Sequence, residues 1–453
     1  MHDLPILGPS GDHRSRTPVP VSDVRGKPVA QLSLAPVPQV ARAVAQLRRG
    51  PLSSVDERIA ALRAAGSAFR TDEVGGLTAN DYLRLVSGIS GLGISTVRAA
   101  TDKIARYCAD ADMHTAFARP AGVATDIQDP RAKAGTAVWV RRGDVLAVHA
   151  AGNHPAVHAD WVQALALGYR VAVRPSRREP VTSHRLVAAL RQAGFGHDRV
   201  VYLPSDYVAA DEMLRGADRA MVYGGDDVIA KYAKDPTVLP QGPGRSKILI
   251  ASDVDWRDYV DLVADSVSRG GGTGCTNTTA VMVEGDAAGL AEALAERLGS
   301  LPSLPPEDDS AILPVQPVDA ARRLERFVWD TAAGAATILG ADGIIDEFGD
   351  GSAAVRPAVF LAADPAASAP VELPFPCVWV FPWSRTDGVA PLRQTLALTV
   401  LSHDEGLIER LLAEPTVRNV YAGAYPTYWN APHVPHDGYI ADFLMEPKGF
   451  LRR

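Results

Sequence analysis

The chain has 453 residues, too many for one compact core, so two or three domains are expected. Its 47% hydrophobic and 22% charged residues are those of an ordinary globular protein. A net charge of -7, from 46 basic and 53 acidic residues, argues against nucleic-acid and anionic-membrane surfaces, which need a basic footprint.

No apolar run reaches the roughly 18 residues that a membrane-spanning helix needs. The segment Met1-His2-Asp3-Leu4-Pro5 lacks the basic and apolar blocks of a secretory signal. Cys108, Cys275 and Cys377 are odd in number, widely spaced and without a CxxC pair. Neither a disulfide framework nor a metal site is expected, and a reducing cytoplasm fits.

Residues 1–35 are rich in Pro, Gly and Ser and read as an arm or leading edge. From about Val37 to Ala109 apolar residues recur at helical spacing. Residues 136–148 read as two strands around a turn at Arg142-Gly143-Asp144. Arg170–Pro175 is a short strand ended by proline. Val181–Ala193 is a helix, capped by Thr182 or Ser183. Val200–Leu203 and Ala220–Tyr223 are strands, the second followed by Gly224-Gly225 and a helix. This alternation predicts a mainly parallel sheet covered by helices, with ligands at the strand C-termini. A second such alternation starts at Lys247–Ile250 and runs to about Ala424, with helices at Leu290–Leu298 and Ala320–Thr331. Ala362–Pro370 reads as a surface loop.

The segment Arg269-Gly270-Gly271-Gly272-Thr273-Gly274-Cys275-Thr276-Asn277 carries the chemistry. Small neighbours let a carbonyl carbon reach the sulfur, and backbone N–H groups can face the developing oxyanion. The thiolate is the reactive form, so a lowered pKa or a helix N-terminus is needed to activate it. Five further segments accompany it. Ala150-Ala151-Gly152-Asn153-His154-Pro155 follows a strand, and Asn153 offers an amide to an oxyanion. Val173-Arg174-Pro175-Ser176-Arg177 ends the next strand. Gly224-Gly225 opens a helix where a pyrophosphate would fit. Gln241-Gly242-Pro243-Gly244-Arg245-Ser246 precedes the second sheet, and Glu372-Leu373-Pro374-Phe375-Pro376 lies near the C-terminus.

In this order the set resembles the aldehyde dehydrogenase superfamily, from about residue 35 to the end. Gln241 precedes Cys275 by 275 − 241 = 34 residues and Glu372 follows it by 372 − 275 = 97, both usual spacings in that family. The implied fold is α/β: a Rossmann-like cofactor domain, a catalytic α/β domain and a small β oligomerisation arm. The expected limits are 1–119 and 149–246 for the cofactor domain, 247–428 for the catalytic domain, and 120–148 with 429–453 for the arm. The 136–148 strands and the Tyr439–Phe450 segment would form that arm, giving a homodimer or homotetramer. The resemblance makes Cys275 the nucleophile and Asn153 an oxyanion donor. It sets Arg174 at the adenosine ribose, Gly224 and Gly225 under the pyrophosphate, and Glu372 at the nicotinamide ribose, with Ser176 a further cofactor-binding residue. Phe375 stands one place beyond the aromatic residue expected there, which is Pro374.

Two departures carry information. Gln241 aligns with the glutamate that acts as general base in hydrolytic members, and a glutamine cannot take a proton from water. A thioester can instead exchange with another thiol. The Ala-Gly-Asn and Pro-Ser-Arg segments are similar to those of the long-chain acyl-CoA reductase branch. The expected reaction is therefore reduction of an acyl thioester, on CoA or a carrier protein, to an aldehyde. Arg177-Arg178 is the second departure, because the family often has a glutamate at position 177 that repels a 2′-phosphate. A cationic pair reverses that sign and predicts NADP(H) over NAD(H). The alternatives are a hydrolytic aldehyde dehydrogenase with His154 or His158 as base, a relative of glutamyl-phosphate reductase, and a non-catalytic relative.

Overall fold

The computed structural model describes residues 1–49, 53–365 and 370–451. Two seven-stranded sheets dominate it. In the first, Val238–Gln241, Arg219–Tyr223, Val145–His149, Arg170–Arg174 and Val200–Tyr202 run parallel, in that spatial order. Ile6–Gly8 and Gly11–His13 extend it antiparallel. The central strands are continuous apolar runs, as burial on both faces demands. Helices His158–Ala166 and Val181–Leu190 pack in the core on one face. Val37–Leu47 and Tyr207–Gly216 cover the other.

In the second sheet Ala358–Leu361, Cys377–Pro382, Thr278–Val283, Ser246–Ile250, Thr395–Leu401 and Val417–Ala422 run parallel. Ala336–Leu339 closes one edge antiparallel. Val318–Thr331 and Glu405–Leu412 pack on one face, and Val260–Ser268 with Ala287–Gly299 on the other. The α/β class expected from the alternation is therefore the observed one.

Three local readings need correction. Residues 1–35, expected as an arm or leading edge, form five short strands. His2–Leu4 pairs with Pro28–Leu32, and Ile6–Gly8 joins the first sheet. The 136–148 segment does not form one hairpin. Thr136–Arg141 pairs antiparallel with Met445–Phe450 in a separate ribbon, whereas Val145–His149 lies inside the first sheet. The physical reason is Asp218, whose Oδ2 accepts the Asp144 and Val145 amides at 2.8 and 3.0 Å. That clamp turns the chain out of the ribbon and into the sheet. Finally, helix Val181–Leu190 is capped by neither Thr182 nor Ser183. The buried Glu179 carboxylate accepts the Val181 and Thr182 amides at 2.7 and 2.9 Å. The 366–369 part of the expected loop at Ala362–Pro370 lies outside the described residues.

Candidate active site

Cys275 sits in the link between helix Val260–Ser268 and strand Thr278–Val283. Gly270, Gly271 and Gly272 take φ of 61, 74 and 68°, a run open only to glycine at reasonable cost. A Cβ on Gly272 would meet the Phe375 carbonyl carbon at 2.5 Å. Asn277 staples the loop. Its Oδ1 accepts the Gly274 amide at 2.8 Å, and its Nδ2 donates to the carbonyls of Ser266, Val267 and Arg269. Ser246 Oγ donates to the Cys275 carbonyl at 3.2 Å. The chain runs on into a strand, so the sulfur has no helix N-terminus of its own to activate it.

The thiol opens on a cavity of about 510 Å³ that Asn153 also lines. Asn153 follows strand Val145–His149, as the sequence implies, and its Nδ2 donates to the Thr273 carbonyl at 2.8 Å. That bond uses one amide hydrogen and leaves the second for the cavity. One wall is a face of helix Ile94–Ala109, which presents Thr96, Ala99, Lys103 and Arg106. Gln241 is not among the lining residues. It ends strand Val238–Gln241 opposite Tyr223, is buried, and accepts the Gly224 amide through its carbonyl at 3.0 Å.

Sequence reasoning missed the groups that touch the sulfur's surroundings most closely. The His436 imidazole lines the same cavity as the Cys275 thiol, and its Nε2 lies 2.9 Å from Asp437 Oδ2. Burial pushes the thiol pKa up, and neighbouring His436 pulls against it. Burial also works against charge on His436, but Asp437 and neighbouring Cys275 outweigh it and hold the imidazole up to about 10. The only signal in the sequence is a Pro-His-Asp-Gly turn in an aperiodic stretch. Of the two expected histidines, His154 lines this cavity and His158 is not among its lining residues. His154 Nδ1 accepts the Ala156 amide at 3.2 Å, and His158 Nδ1 accepts Trp161 Nε1 at 3.1 Å. Burial pushes them down to about 4 and about 3.

The expected cofactor residues fall at the C-terminal edge of the first sheet and in the neighbouring cleft. Arg174 ends its strand with Nε buried and unpartnered, its guanidinium 5.3 Å from the Tyr207 ring centre. Ser176 Oγ accepts the Arg178 amide at 3.2 Å and lies 2.3 Å from where a Cβ on Gly152 would be. Arg177 and Arg178 are exposed, with no ion pair among the described residues. Glu179 does not balance them, because it points inward to cap its helix. Gly225 is the N-cap of helix Asp226–Tyr232, and a Cβ on Gly224 would meet Val228 at 2.4 Å. Asp226 and Asp227 fill that helix's first turn, and Arg245 pairs with Asp226.

Glu372 lines a second cavity of about 570 Å³ together with Arg245, Lys247 and Arg393. Its Oε2 accepts the Gly244 and Arg245 amides at 2.7 and 3.2 Å, which ties it to the loop after Gln241. Buried Lys247 donates to the Arg393 carbonyl and to Thr395 Oγ1, and burial pushes it down to about 7. Phe375 differs from expectation. Its side chain is 1% exposed and belongs to the second-sheet core, so only its backbone reaches the glycine loop. Arg174, exposed Arg177 and Arg178, and Gly224-Gly225 thus gather at strand ends, the place that would hold a nicotinamide dinucleotide.

Comparison with known proteins agrees with this fold. The chain overlays on the indole-3-acetaldehyde dehydrogenase AldA of P. syringae, solved with NAD+ and IAA, with a TM-score of 0.83 and 16% identity, covering 99% of this chain and 96% of that one. It overlays on the aldehyde dehydrogenase KauB of Pseudomonas aeruginosa with a TM-score of 0.81 and 16% identity, covering 99% and 96%. At that identity the overlays show the fold. In sequence it is 29% identical over 185 residues to NADP-dependent glyceraldehyde-3-phosphate dehydrogenase of Pisum sativum, 38% of this chain and 36% of that protein. The match thus spans about a third of that relative's length. The model of the aldehyde dehydrogenase family matches residues 143–439, well over half the chain and including Asn153, Cys275 and His436, and the chain belongs to that family.

Proposed function

We propose that this protein passes an acyl group through Cys275, reducing an acyl thioester of CoA or a carrier protein to a small aldehyde. The observation that carries the reading is Gln241. It replaces the carboxylate that would activate water, and it is not among the residues lining the Cys275 cavity. The carboxylates that do line it are engaged. Asp160 accepts from the Tyr223 hydroxyl, Asp265 from the Tyr428 hydroxyl, and Asp437 holds His436. A thiol acceptor, with a pKa of about 8.5, ionises far more readily than water and has less need of a base.

The chain's own residues divide the work. Cys275 forms the C–S bond, and the displaced electron pair goes to the carbonyl oxygen. The free hydrogen of the Asn153 amide faces that oxygen. A nicotinamide cofactor supplies or accepts hydride when bound. NADP(H) is favoured over NAD(H), because exposed Arg177 and Arg178 offer two unpaired cations to a 2′-phosphate. The ribbon of Thr136–Arg141 and Met445–Phe450 supports a homodimer or homotetramer, since the outer edge of Met445–Phe450 is unpaired among the described residues.

A second reading is hydrolytic oxidation of an aldehyde to an acid. It is favoured by the names of the relatives, AldA and the Pisum sativum enzyme. The test is NADPH consumption with a panel of acyl-CoAs, the aldehyde detected directly and Cys275→Ala run beside the parent. Aldehyde from the parent alone supports thioester reduction. Aldehyde oxidation that proceeds without CoA overturns it in favour of the second reading.

A further inference from the structure

We propose that the acyl group bears an anionic terminus, a carboxylate or a phosphate, held by Lys103, Arg106 and Arg269. The inference rests on Cys275 reacting with an acyl group, whichever acceptor then takes that group. All three cations line the cavity that Cys275 and Asn153 also line. They come from two elements. Lys103 and Arg106 share one face of helix Ile94–Ala109 with Thr96 and Ala99. Arg269 follows helix Val260–Ser268 and opens the glycine loop that leads to the cysteine. The two elements meet there, since a Cβ on Gly270 would lie 3.6 Å from Thr96 Cγ2.

What the three cations lack is a counter-charge. None of them forms an ion pair among the described residues. Two have aromatic neighbours instead. Lys103 Nζ lies 5.4 Å from the Tyr107 ring centre, and the Arg269 guanidinium lies 5.0 Å from that of Tyr428. A ring face orients a cation without neutralising it. Arg106 and Arg269 are exposed and Lys103 is half-buried, so all three are open to an incoming group.

The carboxylates of the cavity are Asp160, Asp265 and Asp437. Asp437 is matched by His436 at 2.9 Å. Asp160 accepts the Tyr223 hydroxyl at 3.4 Å, and desolvation draws it toward its neutral form. Asp265, which accepts the Tyr428 hydroxyl, is left to face the three cations. The cavity therefore carries a positive surplus inside a chain whose net charge is -7. A neutral acyl group would leave that surplus uncompensated. A carboxylate or phosphate would meet it with charge-assisted hydrogen bonds, two of the donors being planar guanidinium forks.

Two measurements on the full-length protein test this. The first is alkylation of Cys275 by iodoacetate and by iodoacetamide, read by peptide mass spectrometry, with each rate normalised to free cysteine. It needs neither substrate nor cofactor. The anionic reagent is expected to gain about threefold or more over the neutral one, and Lys103→Met, Arg106→Ala and Arg269→Ala each to shrink that gain. The second is oxidation of free aldehydes with NADP+ or NAD+, with and without CoA. The pairs are 4-oxobutanoate against butanal, 5-oxopentanoate against pentanal, and glycolaldehyde phosphate against glycolaldehyde. At least one charged member is expected to exceed its neutral partner in kcat/KM by about tenfold or more, and the arginine variants to lose most of that ratio. The pair with the largest ratio tells carboxylate from phosphate. A free aldehyde carries none of the phosphates of CoA, so the ratio reports the charge of the acyl group itself. A charged preference without CoA keeps this proposal and removes the thioester reading. Equal use of charged and neutral aldehydes overturns the proposal, as does a preference that survives in all three folded variants. If no aldehyde turns over, the alkylation ratio decides, and equal labelling by both reagents overturns it.

Discussion

Gly244→Ala tests how tightly the loop after Gln241 fixes the nucleophile. Gly244 has no left-handed backbone, so space alone decides the outcome. An added Cβ would lie 1.7 Å from the Cys275 carbonyl oxygen, 2.5 Å from its carbon and 3.1 Å from its Cα. A carbon–oxygen contact relaxes only near ~3.3 Å, so the two segments must part by about 1.5 Å. The loop cannot yield freely. Its Gly244 amide is held by Glu372 at 2.7 Å, and its Gly244 carbonyl accepts the Leu396 amide at 2.8 Å. Much of the displacement therefore falls on Cys275. A misplacement of about 1 Å at a reacting group costs roughly a hundredfold in rate, or about 2.7 kcal/mol. Overpacking costs roughly a further 1–3 kcal/mol of stability. The assay is kcat/KM beside a thermal melt, with Gly449→Ala as the control, because nothing lies within 4 Å of a Cβ there. If the Gly244 variant keeps kcat/KM within about threefold of the parent, the loop does not position the sulfur and the reasoning fails.

Asn153→Ala removes the proposed oxyanion donor and one bond to Thr273, and kcat should fall by about 10²–10³ with KM nearly constant. A pure KM effect in steady-state kinetics would argue against that role. Replacing Arg177 and Arg178 together by alanine should raise KM for NADPH about tenfold or more and leave NADH nearly untouched, as a cofactor titration would show. Burial holds the Lys247 ammonium at about 7, well below its ordinary 10.5. Between those limits the unfolded chain binds more protons, so stability rises with pH across the window, by at most roughly 5 kcal/mol. Lys247→Met should flatten that rise in denaturant melts taken at pH 7 and pH 9.5. A parent-like slope would count against a buried, shifted lysine.

Much of the molecule is legible in local pattern. Strands such as Val145–His149 and Ser246–Ile250 are apolar runs, and a run buried on both faces shows itself without its neighbours. The glycine loop around Cys275 is legible because consecutive left-handed residues require glycine. What escapes is set by distant partners. His2–Leu4 is a strand only because Pro28–Leu32 lies beside it. Arg142-Gly143-Asp144 has the composition of a hairpin turn, but Asp218, 74 residues from Asp144, sends its two arms into different sheets. Phe375 sits in a motif-like segment but is claimed by the core. His436 lies 436 − 275 = 161 residues from the sulfur, in a turn without periodicity, so only the folded chain brings the two together.

Cys275 and one wall of the cavity it lines belong to separate parts of the chain. The sulfur is placed by backbone: three glycines and the Asn277 staple, anchored to the end of helix Val260–Ser268. The opposite wall is one face of helix Ile94–Ala109, whose other face is locked into the first core by Ile94, Val97, Ile104 and Cys108. Thr96, Ala99, Lys103 and Arg106 can therefore be exchanged without disturbing the cysteine. This division makes the fold evolvable: descendants can drift in what they accept while inheriting the same reactive centre, and a designer has four positions at which to repeat that history.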